Sequence, residues 1–324
     1  MVAPTVSILL SLLMMSCARN GAREAIEEKQ RGEPAAAVAA QLSADHSADL
    51  LSALQQLRQG ATAAYQTPTI DELNAFGDWF TALAHAAREQ RLPASPAPDG
   101  FHGSLAGDGR SWLLAESEER KRGAGAFLLR PGRGEEVVVQ APHTFFDQGT
   151  LHLSIALYEE LQARALMINT VHRSGPGDRE QRRQRALAAN AESDLAHSDG
   201  SYYQHAHRAL CQLLPKATTI QLHGYRDERA PDAQFIVSAA NTQADPRPVA
   251  RALNAEFDAP VARVYPDEVK LLGGTRNAQA RASVAEGCGL IHLEIAGSVR
   301  GRLKKEADFR QRVARAIGRG LARR

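Results

Sequence analysis

Residues 137–143 read Val-Val-Val-Gln-Ala-Pro-His, an apolar run that ends in a proline and a histidine. Two later runs have the same form: residues 219–224 read Thr-Ile-Gln-Leu-His-Gly, and residues 290–294 read Leu-Ile-His-Leu-Glu. Each run predicts a short strand that is buried on both faces and ends in an ionisable side chain. In an open α/β sheet the functional site lies outside the carboxyl ends of the strands. The three runs therefore predict that these polar side chains meet at one edge of a sheet.

The sequence around these runs alternates between strand and helix patterns. A hairpin of residues 112–115 and 127–129 comes first. Strands are predicted at 137–140, 165–171, 218–222, 234–237, 261–264 and 290–295. Helices are predicted at 150–163, 201–214, 248–257, 278–286 and 307–322. Strands that alternate with helices of 10 to 15 residues are typical of a three-layer α/β domain with a mostly parallel sheet.

A Pro-rich break divides the chain at residues 92–100 (LPASPAPDG). Before it, residues 18–100 are predicted to be a small helical N-terminal region and linker, with helices at 46–59 and 69–90. After it, residues 101–324 are predicted to form the α/β domain. The break also predicts that residues 18–100 are dispensable for folding of the rest.

The first 17 residues predict export. Residues 6–15 (VSILLSLLMM) are an apolar run that is too short to span a membrane and is typical of a signal-peptide core. Ser16-Cys17 follows, in a pattern that resembles a bacterial lipoprotein box with lipidation at Cys17. We therefore expect a periplasmic or cell-envelope protein that is anchored to a membrane by lipid. A signal peptide cleaved elsewhere and an uncleaved anchor are the alternatives.

The composition is that of an ordinary globular protein, with 44% hydrophobic and 23% charged residues among 324. A net charge of +2 and the lack of any zinc-finger, basic-zipper or RNA-binding signature argue against a nucleic-acid partner. Beyond Cys17 the cysteines are Cys211 and Cys288. They could pair in an oxidising compartment, but the helical pattern around Cys211 favours two free, buried thiols.

His143, Asp147 and His223 are the predicted metal ligands. Two imidazoles and a carboxylate make a three-ligand Zn²⁺ site that leaves one position open for water. His143 follows a buried strand, Asp147 lies four residues later in the same loop, and His223 ends the second run. The alternatives are that His143 or Asp147 caps the helix that begins near residue 150, and that His223 is a partly buried histidine at a strand end.

Glu294 is the predicted general base. It lies inside an apolar run, and a buried carboxylate costs several kcal/mol unless it is paired or has a chemical task. Burial raises the pKa of such a group and a nearby metal lowers it, which suits proton transfer. A buried salt bridge to Arg300 or Arg173 is the alternative. His292 has the same strand parity as Glu294 and is the rival for its place.

A second polar cluster consists of Arg173, Asp194 and His197. Arg173 follows a predicted strand, where a guanidinium can hold a substrate carboxylate through two hydrogen bonds. Asp194 and His197 fall in a loop before a helix, where they could position substrate or orient a metal ligand from behind. Ordinary loop and capping roles are the alternative for both.

The order His, Asp, His, Glu on these strands resembles the zinc amidase and carboxypeptidase superfamily, over roughly residues 105–320. Members include N-acetylmuramoyl-L-alanine amidases, zinc carboxypeptidases and N-formylglutamate amidohydrolases, on a phosphorylase/hydrolase-like α/β fold. Ala141-Pro142-His143 resembles the first histidine motif, residues 220–223 the second, and residues 292–294 the strand with the catalytic glutamate. Three residues separate His143 from Asp147, whereas two separate the first ligands of the carboxypeptidases.

The resemblance implies a secreted or lipid-anchored, zinc-dependent amidohydrolase or peptidase. Its substrate would be a small peptide, an acyl-amino acid or a peptidoglycan fragment, cleaved at an amide bond by metal-activated water. The alternative is a catalytically inactive envelope lipoprotein that uses the same fold to bind a ligand or partner. A serine hydrolase is disfavoured because the chain has no G-x-S-x-G elbow.

Overall fold

The computed structural model describes residues 49–58, 65–91, 96–106, 110–132, 134–175, 177, 180–182, 184 and 192–322. Within them, one sheet has nine strands in the order β1-β2-β3-β5-β4-β6-β9-β7-β8. The strands are β1 (Phe101–Leu105), β2 (Trp112–Glu116), β3 (Ala126–Leu129), β4 (Glu135–Ala141), β5 (Ala163–Ile168), β6 (Thr218–Tyr225), β7 (Phe235–Ala239), β8 (Ala262–Val264) and β9 (Gly289–Ala296). The predicted leader, with the lipidation site Cys17, lies outside the described residues.

The sheet is mixed, and the prediction of a mostly parallel sheet is wrong. The four central strands, in the order β5-β4-β6-β9, run parallel as a block, and β7 also pairs parallel with β8. β1, β2 and β3 form an antiparallel meander that joins β5 antiparallel, and β7 pairs antiparallel with β9. The connections within the meander contain no helix that would carry the chain across the sheet, and parallel pairing needs such a crossover. The alternation rule therefore holds for the centre of the sheet and for the pair of β7 and β8, and fails for the β1-β2-β3 meander and for β7 against β9.

The helices cover both faces of the sheet, as the sequence predicts. They are α1 (Ile70–Arg88), α2 (Thr150–Glu160), α3 (Tyr202–Leu213), α4 (Arg247–Phe257), α5 (Ala278–Glu286), α6 (Gly297–Lys305) and α7 (Ala307–Leu321). Apolar residues of α2, α4, α6 and α7 pack on one face in a single hydrophobic core. α1 and α3 form a second core on the opposite face, where α5 packs against α3 and β9. Strand β1 and helix α6 are the described elements that the sequence patterns missed.

Alternation along the central strands divides each strand between the two cores. In β4, Val139 belongs to the core of α2 and α7, whereas Val138 belongs to the core of α1 and α3. Because successive side chains of a strand point to opposite faces, Gln140 shares a face with Val138. Residues paired in register also share a face, and Gln140 pairs with Gln221, which pairs with His292. A band of polar residues therefore crosses three adjacent strands beneath α3 and α5.

The predicted helical N-terminal region packs into both cores. Helix α1 begins with a capping box between Thr69 and Glu72, and its apolar stripe includes Phe76 and Phe80, which are fully buried. Residues 49–58 are also helical, and Leu50 and Leu54 are buried in the core beneath α2 and α7. The described part of this region therefore contributes to both cores, and the expectation that residues 18–100 are dispensable for folding stays a prediction.

Cys211 and Cys288 form a disulfide, with Cα atoms 5.5 Å apart, so the preference for two free cysteines is wrong. Cys211 lies on the buried face of α3, and Cys288 directly precedes β9. The helical pattern around Cys211 correctly indicates a buried position, but only the packing of α3 beside β9 shows the partner. Among the described residues, no helix is both long enough and apolar enough to cross a membrane.

Candidate metal centre

The loop between β4 and α2 carries two of the predicted ligands, and its backbone determines where they point. The backbone N–H of Asp147 donates to the carbonyl of His143 over 2.7 Å, which closes a turn between the two residues. Asn169, at the end of the neighbouring strand, accepts from the N–H and the hydroxyl of Thr144, each at 2.8 Å. The turn is thereby tied to β5, and the side chains of His143 and Asp147 are both buried.

Neither His143 nor Asp147 caps α2. The residue before the helix is Gly149, with φ of 99°, and no side chain bonds there to the first-turn N–H groups. A β-carbon at Gly149 would lie 2.3 Å from the carbonyl oxygen of Arg300, so only glycine fits. Asp147 supports the first turn through its backbone carbonyl, which accepts from the Thr150 hydroxyl at 2.7 Å. Its carboxylate is consequently available to the site.

His223 and Glu294 face the same site from two paired strands. They are register partners in β6 and β9, so their side chains lie side by side on one face of the sheet. Each strand continues for two residues beyond them, to Tyr225 and Ala296. The expectation that both residues end their strands is therefore wrong, although they do lie toward the carboxyl end of the sheet.

The structure brings His143, Asp147 and His223 together. Nδ1 of His143 lies 3.6 Å from Oδ2 of Asp147, and Nδ1 of His223 lies 3.9 Å from the same oxygen. All three ligand atoms lie within 4.8 Å of one another. Ligands that bind a tetrahedral zinc at about 2.0–2.1 Å are roughly 3.3 Å apart. The two distances to Asp147 therefore exceed the value for a tetrahedral site by only about half an ångström each.

Buried polar atoms at this centre lack partners among the described residues. They are Oδ1 of Asp147, Oε2 of Glu294 and Nδ1 of His292. A buried polar atom without a hydrogen bond costs about 1–3 kcal/mol, and more when it is charged. Nitrogen and oxygen donors of this kind are the ligands that zinc takes in catalytic sites. The residues therefore fit a bound cation, and ligation by His143, Asp147 and His223 stays a prediction.

Asp194 contacts a predicted ligand from behind. Its Oδ1 lies 2.8 Å from Nε2 of His143, and Oδ2 accepts from Arg173. Because a carboxylate only accepts, His143 carries its proton on Nε2 and presents the Nδ1 lone pair to Asp147. Of the two roles that the sequence left open for Asp194, to position substrate or to orient a metal ligand from behind, this contact favours the second. His197 also contacts it, with Nδ1 3.0 Å from Oδ1.

Arg173 lies at the mouth of the site. One of its guanidinium nitrogens is 3.5 Å from Nδ1 of His143, and the guanidinium lies 5.3 Å from the centre of the Phe146 ring. Phe146 is half exposed. The guanidinium pairs with Asp194 and not with Glu294. Its predicted contact with a substrate carboxylate is not tested by these distances and stays a prediction.

Glu294 has no salt bridge to either arginine among the described residues. Arg300 donates instead to the backbone carbonyls of Ile295 and Tyr225, each at 3.1 Å. The nearest ionisable partner of Glu294 is Nε2 of His292, 3.9 Å from Oε1. Burial, and then the charge of Asp147, raise the pKa of Glu294 to about 8. This environment suits a group that exchanges a proton, because a bound cation would lower that pKa again.

Burial and neighbouring charges also change the pKa values of the surrounding histidines. Burial opposes protonation of His143, but the neighbouring carboxylates of Asp147 and Asp194 favour the charged ring, outweigh burial and raise its pKa. Burial, and then the charges of His292 and His143, hold the pKa of His223 well below its usual range. Burial lowers the pKa of His292 to about 3. A neutral imidazole is the form that binds a metal.

His292 is a close neighbour of the site, and the sequence analysis predicted it only as a rival to Glu294. Its ring centre lies 4.6 Å from that of His223, and His223, His292 and Glu294 form a second, overlapping group with metal-binding atoms. A third such group, His207 with Cys211 and Cys288, is occupied by the disulfide. The sequence signal for His292 was its parity with Glu294 inside an apolar strand.

The polar residues beneath the site were missed by the sequence analysis. Gln140 and Gln221 are fully buried and bonded to each other, and Nε2 of His223 lies 2.8 Å from Oε1 of Gln221. A signal was available, because each glutamine interrupts an apolar strand at the same parity. A buried amide needs partners for all its polar atoms, and those partners come from α3 and α5.

Comparisons with known proteins give distant likenesses. No family model and no curated protein matches the chain. Similar solved structures include an N-formylglutamate amidohydrolase from Ralstonia eutropha, at 14% identity and a TM-score of 0.38, covering 62% of this chain and 96% of that one. A zinc-free YndL shows 18% identity and a TM-score of 0.39, covering 62% and 90%.

A metallo-carboxypeptidase from Burkholderia cenocepacia is also similar, at 13% identity and a TM-score of 0.32, covering 80% of this chain and 69% of that one. An N-formylglutamate amidohydrolase and a carboxypeptidase are among the kinds of protein that the sequence motifs resemble. Each TM-score is below 0.5, so these likenesses carry no functional conclusion.

Proposed function

We propose that this protein is a zinc-dependent hydrolase that cleaves an amide bond. The observation that carries the proposal is the meeting of His143, Asp147 and His223 within 4.8 Å, with Glu294 on the strand beside His223. The three residues would hold the ion. When bound, zinc supplies a Lewis acid that polarises a carbonyl and lowers the pKa of water toward about 7.

Glu294 would act as the general base. Its Oε2 is buried and unpartnered among the described residues, and its side chain lies beside that of His223 on one face of the sheet. The carboxylate would take a proton from the attacking water and pass it to the leaving nitrogen.

Arg173 would bind an anionic group of the substrate at the mouth of the site. It is 29% exposed, and Asp194 fixes it in place. The proposed substrates are a small peptide, an acyl-amino acid or a peptidoglycan fragment, each of which carries a carboxylate near an amide bond. Export and a lipid anchor at Cys17 are proposed from the leader sequence, and they would place the enzyme in the cell envelope.

Metal analysis of purified protein, with two variants, tests this proposal. We expect one zinc per chain, and His223→Ala should lose both metal and turnover of N-acyl-amino acids or stem peptides. Glu294→Gln should keep the metal, because amide and carboxylate have similar shapes, but lose turnover by about 10²-fold or more. His102→Ala and Glu228→Gln, at exposed positions, are the matched controls.

Two outcomes would contradict the assignment. Stoichiometric zinc in the His143→Ala/His223→Ala double variant would show that the metal binds at another site. An unaltered rate in Glu294→Gln would show that another residue is the general base, with His292 and Asp194 as the next candidates. A protein that binds zinc and shows no turnover with any amide would favour the ligand-binding alternative.

A further inference from the structure

A layer of buried amide side chains lies directly beneath the candidate metal centre. We call it the amide layer, and its members are Gln140, Gln204, Gln221, Asn277 and Gln279, which are all at most 2% exposed. An amide has one end that donates and one that accepts, so each buried bond fixes the orientation of both partners. The backbone groups that contact the layer determine these orientations, since a backbone carbonyl only accepts and an N–H only donates.

The first such group is the carbonyl of Leu195. Nε2 of Gln279 donates to it over 3.0 Å, which turns the Oε1 of Gln279 toward Gln221. Nε2 of Gln221 lies 3.1 Å from that oxygen. Gln221 must therefore present its amino group to Gln279 and its carbonyl oxygen in the other direction.

The second group is the N–H of Ala280 in the first turn of α5. It donates to Oδ1 of Asn277, the N-cap residue, over 3.0 Å. The amino group of Asn277 is thereby turned toward Gln221, where it donates to Oε1. This contact is independent of the first one and requires the same orientation of Gln221.

The third group is the carbonyl of Gln279, 3.0 Å from Nε2 of His207. A proton on that nitrogen leaves Nδ1 of His207 as an acceptor, and Nε2 of Gln140 lies 3.0 Å from it. Gln140 consequently turns its oxygen to Gln221, which donates to it over 2.9 Å. Three separate backbone groups thus agree on one orientation of Gln221.

From this agreement we infer that Gln221 is a positioning residue for His223. Its Oε1 can only accept, so the proton of neutral His223 stays on Nε2 and the Nδ1 lone pair points toward Asp147 before any metal binds. Reversing Gln221 would oppose donor to donor and acceptor to acceptor, and each buried mismatch costs about 1–3 kcal/mol. The inference rests on the proposed function only in taking His223 as a ligand.

The two histidines are therefore set by different means. Asp194, a charged residue near the surface, holds His143 in the same tautomer, whereas neutral amides hold His223. Neutral amides fix the tautomer of His223 without adding a further negative charge next to Glu294. Loss of such a supporting hydrogen bond typically weakens metal binding by 10- to 100-fold.

Nitrogen NMR on metal-free protein with ¹⁵N-labelled histidine tests the inference without any metal. The His223 signals are assigned by their loss in His223→Gln. At pH 7.5 we expect a protonated Nε2 and an unprotonated Nδ1. A protonated Nδ1, or an average of the two tautomers, would overturn the inference, whatever the protein does with zinc.

Zinc affinity in position-specific variants supplies the second measurement. Gln221→Met keeps the size of the side chain and removes the acceptor. We expect zinc affinity, measured by competition with a chelator, to fall by 10- to 100-fold, and His223 to populate both tautomers. Gln212→Met, at an exposed position of α3, is the matched control. Asn277→Ser keeps an N-cap oxygen and removes one contact to Gln221, so it should show a smaller loss.

If Gln221→Met does not fold, Asn277→Ser provides the same two measurements, zinc affinity and the His223 tautomer. Unchanged affinity and an unchanged tautomer in the folded variants would contradict the role of Gln221. Wild-type protein that binds no zinc but shows the expected tautomer would refute the proposed function and leave the positioning intact.

Discussion

At the scale of single residues, the candidate site is defined by which nitrogen of each histidine is available. Asp194 accepts from Nε2 of His143, and Gln221 accepts from Nε2 of His223. Both rings consequently turn Nδ1 toward Asp147. When both rings are neutral, the carboxylate of Asp147 meets two lone pairs and no proton, which is an unfavourable arrangement unless a cation lies between them.

Asp194→Asn tests this arrangement at His143. An amide can turn its amino group toward His143, which removes the fixed acceptor that a carboxylate provides. We expect zinc affinity to fall by 10- to 100-fold, measured by competition with a chelator. Asp199→Asn is the matched control, because Asp199 forms an exposed pair with Arg281. Equal affinities in both variants would show that Asp194 does not support the ligand.

At the scale of secondary-structure elements, α1 determines whether the N-terminal region is an appendage or part of the core. Phe76 contacts the rings of Phe101 and Tyr202 at centroid distances of 5.0 Å each, and the ring of Phe127 at 5.7 Å. These partners come from β1, α3 and β3. The helix therefore covers the antiparallel flank of the sheet.

Phe76→Ala should lower the free energy of unfolding by about 3–5 kcal/mol, the usual cost of removing a buried phenylalanine. Urea unfolding followed by far-UV circular dichroism measures it. Ile70→Ala in the same helix is the control, since Ile70 is 66% exposed and should cost little. Similar stabilities for the two variants would restore the view that the region is dispensable.

At the scale of the whole molecule, the disulfide links α3 to the start of β9 across 77 residues of sequence. Closing a loop of this length lowers the conformational entropy of the unfolded chain. On the chain-entropy account this stabilises the folded state by about 4 kcal/mol. The Cys211→Ala/Cys288→Ala variant should unfold at a lower urea concentration than the wild type. A reducing agent should lower the urea midpoint of the wild type toward that of the variant and leave the midpoint of the variant unchanged. An unchanged midpoint of the wild type would indicate that the disulfide contributes no stability.

Buried histidines make the stability of the fold depend on pH. Burial lowers the pKa of His207 to about 4, and burial with the charge of Arg310 lowers that of His152 to about 4. Below an unfolded pKa of about 6.5 the unfolded chain binds protons that the folded chain does not. The stability that these two histidines contribute is therefore fully present above about pH 6.5 and is lost as the pH falls toward 4.

Unfolding free energies at pH 7.5 and pH 5 measure this loss. We expect a decrease of about 2 kcal/mol for His207 and a smaller one for His152, which is half-buried. His152→Gln should therefore show a weaker pH dependence than the wild type, and His102→Gln, at an exposed position of β1, should not. A pH dependence in His152→Gln that equals or exceeds that of the wild type would contradict the sign of this contribution.

Local sequence patterns were sufficient to predict the central strands, the covering helices and the residues that meet at the site. His143, Asp147, His223 and Glu294 could be chosen because each ionisable group adjoins or interrupts an apolar run. Burial of such groups is expensive without a task, so a single sequence carries the signal. The leader and Cys17 remain predictions of the same kind.

The tertiary structure alone decided the strand directions at the flanks, the disulfide and the groups behind the ligands. Asp194 and Gln279 lie 51 residues beyond His143 and 58 residues beyond Gln221, the groups that they contact. No local pattern links residues so far apart, because hydrogen-bond partners are selected by packing and not by spacing. The sequence by itself determined which side chains enter the site, and the packing of α3 and α5 on the sheet determined which nitrogen each histidine presents.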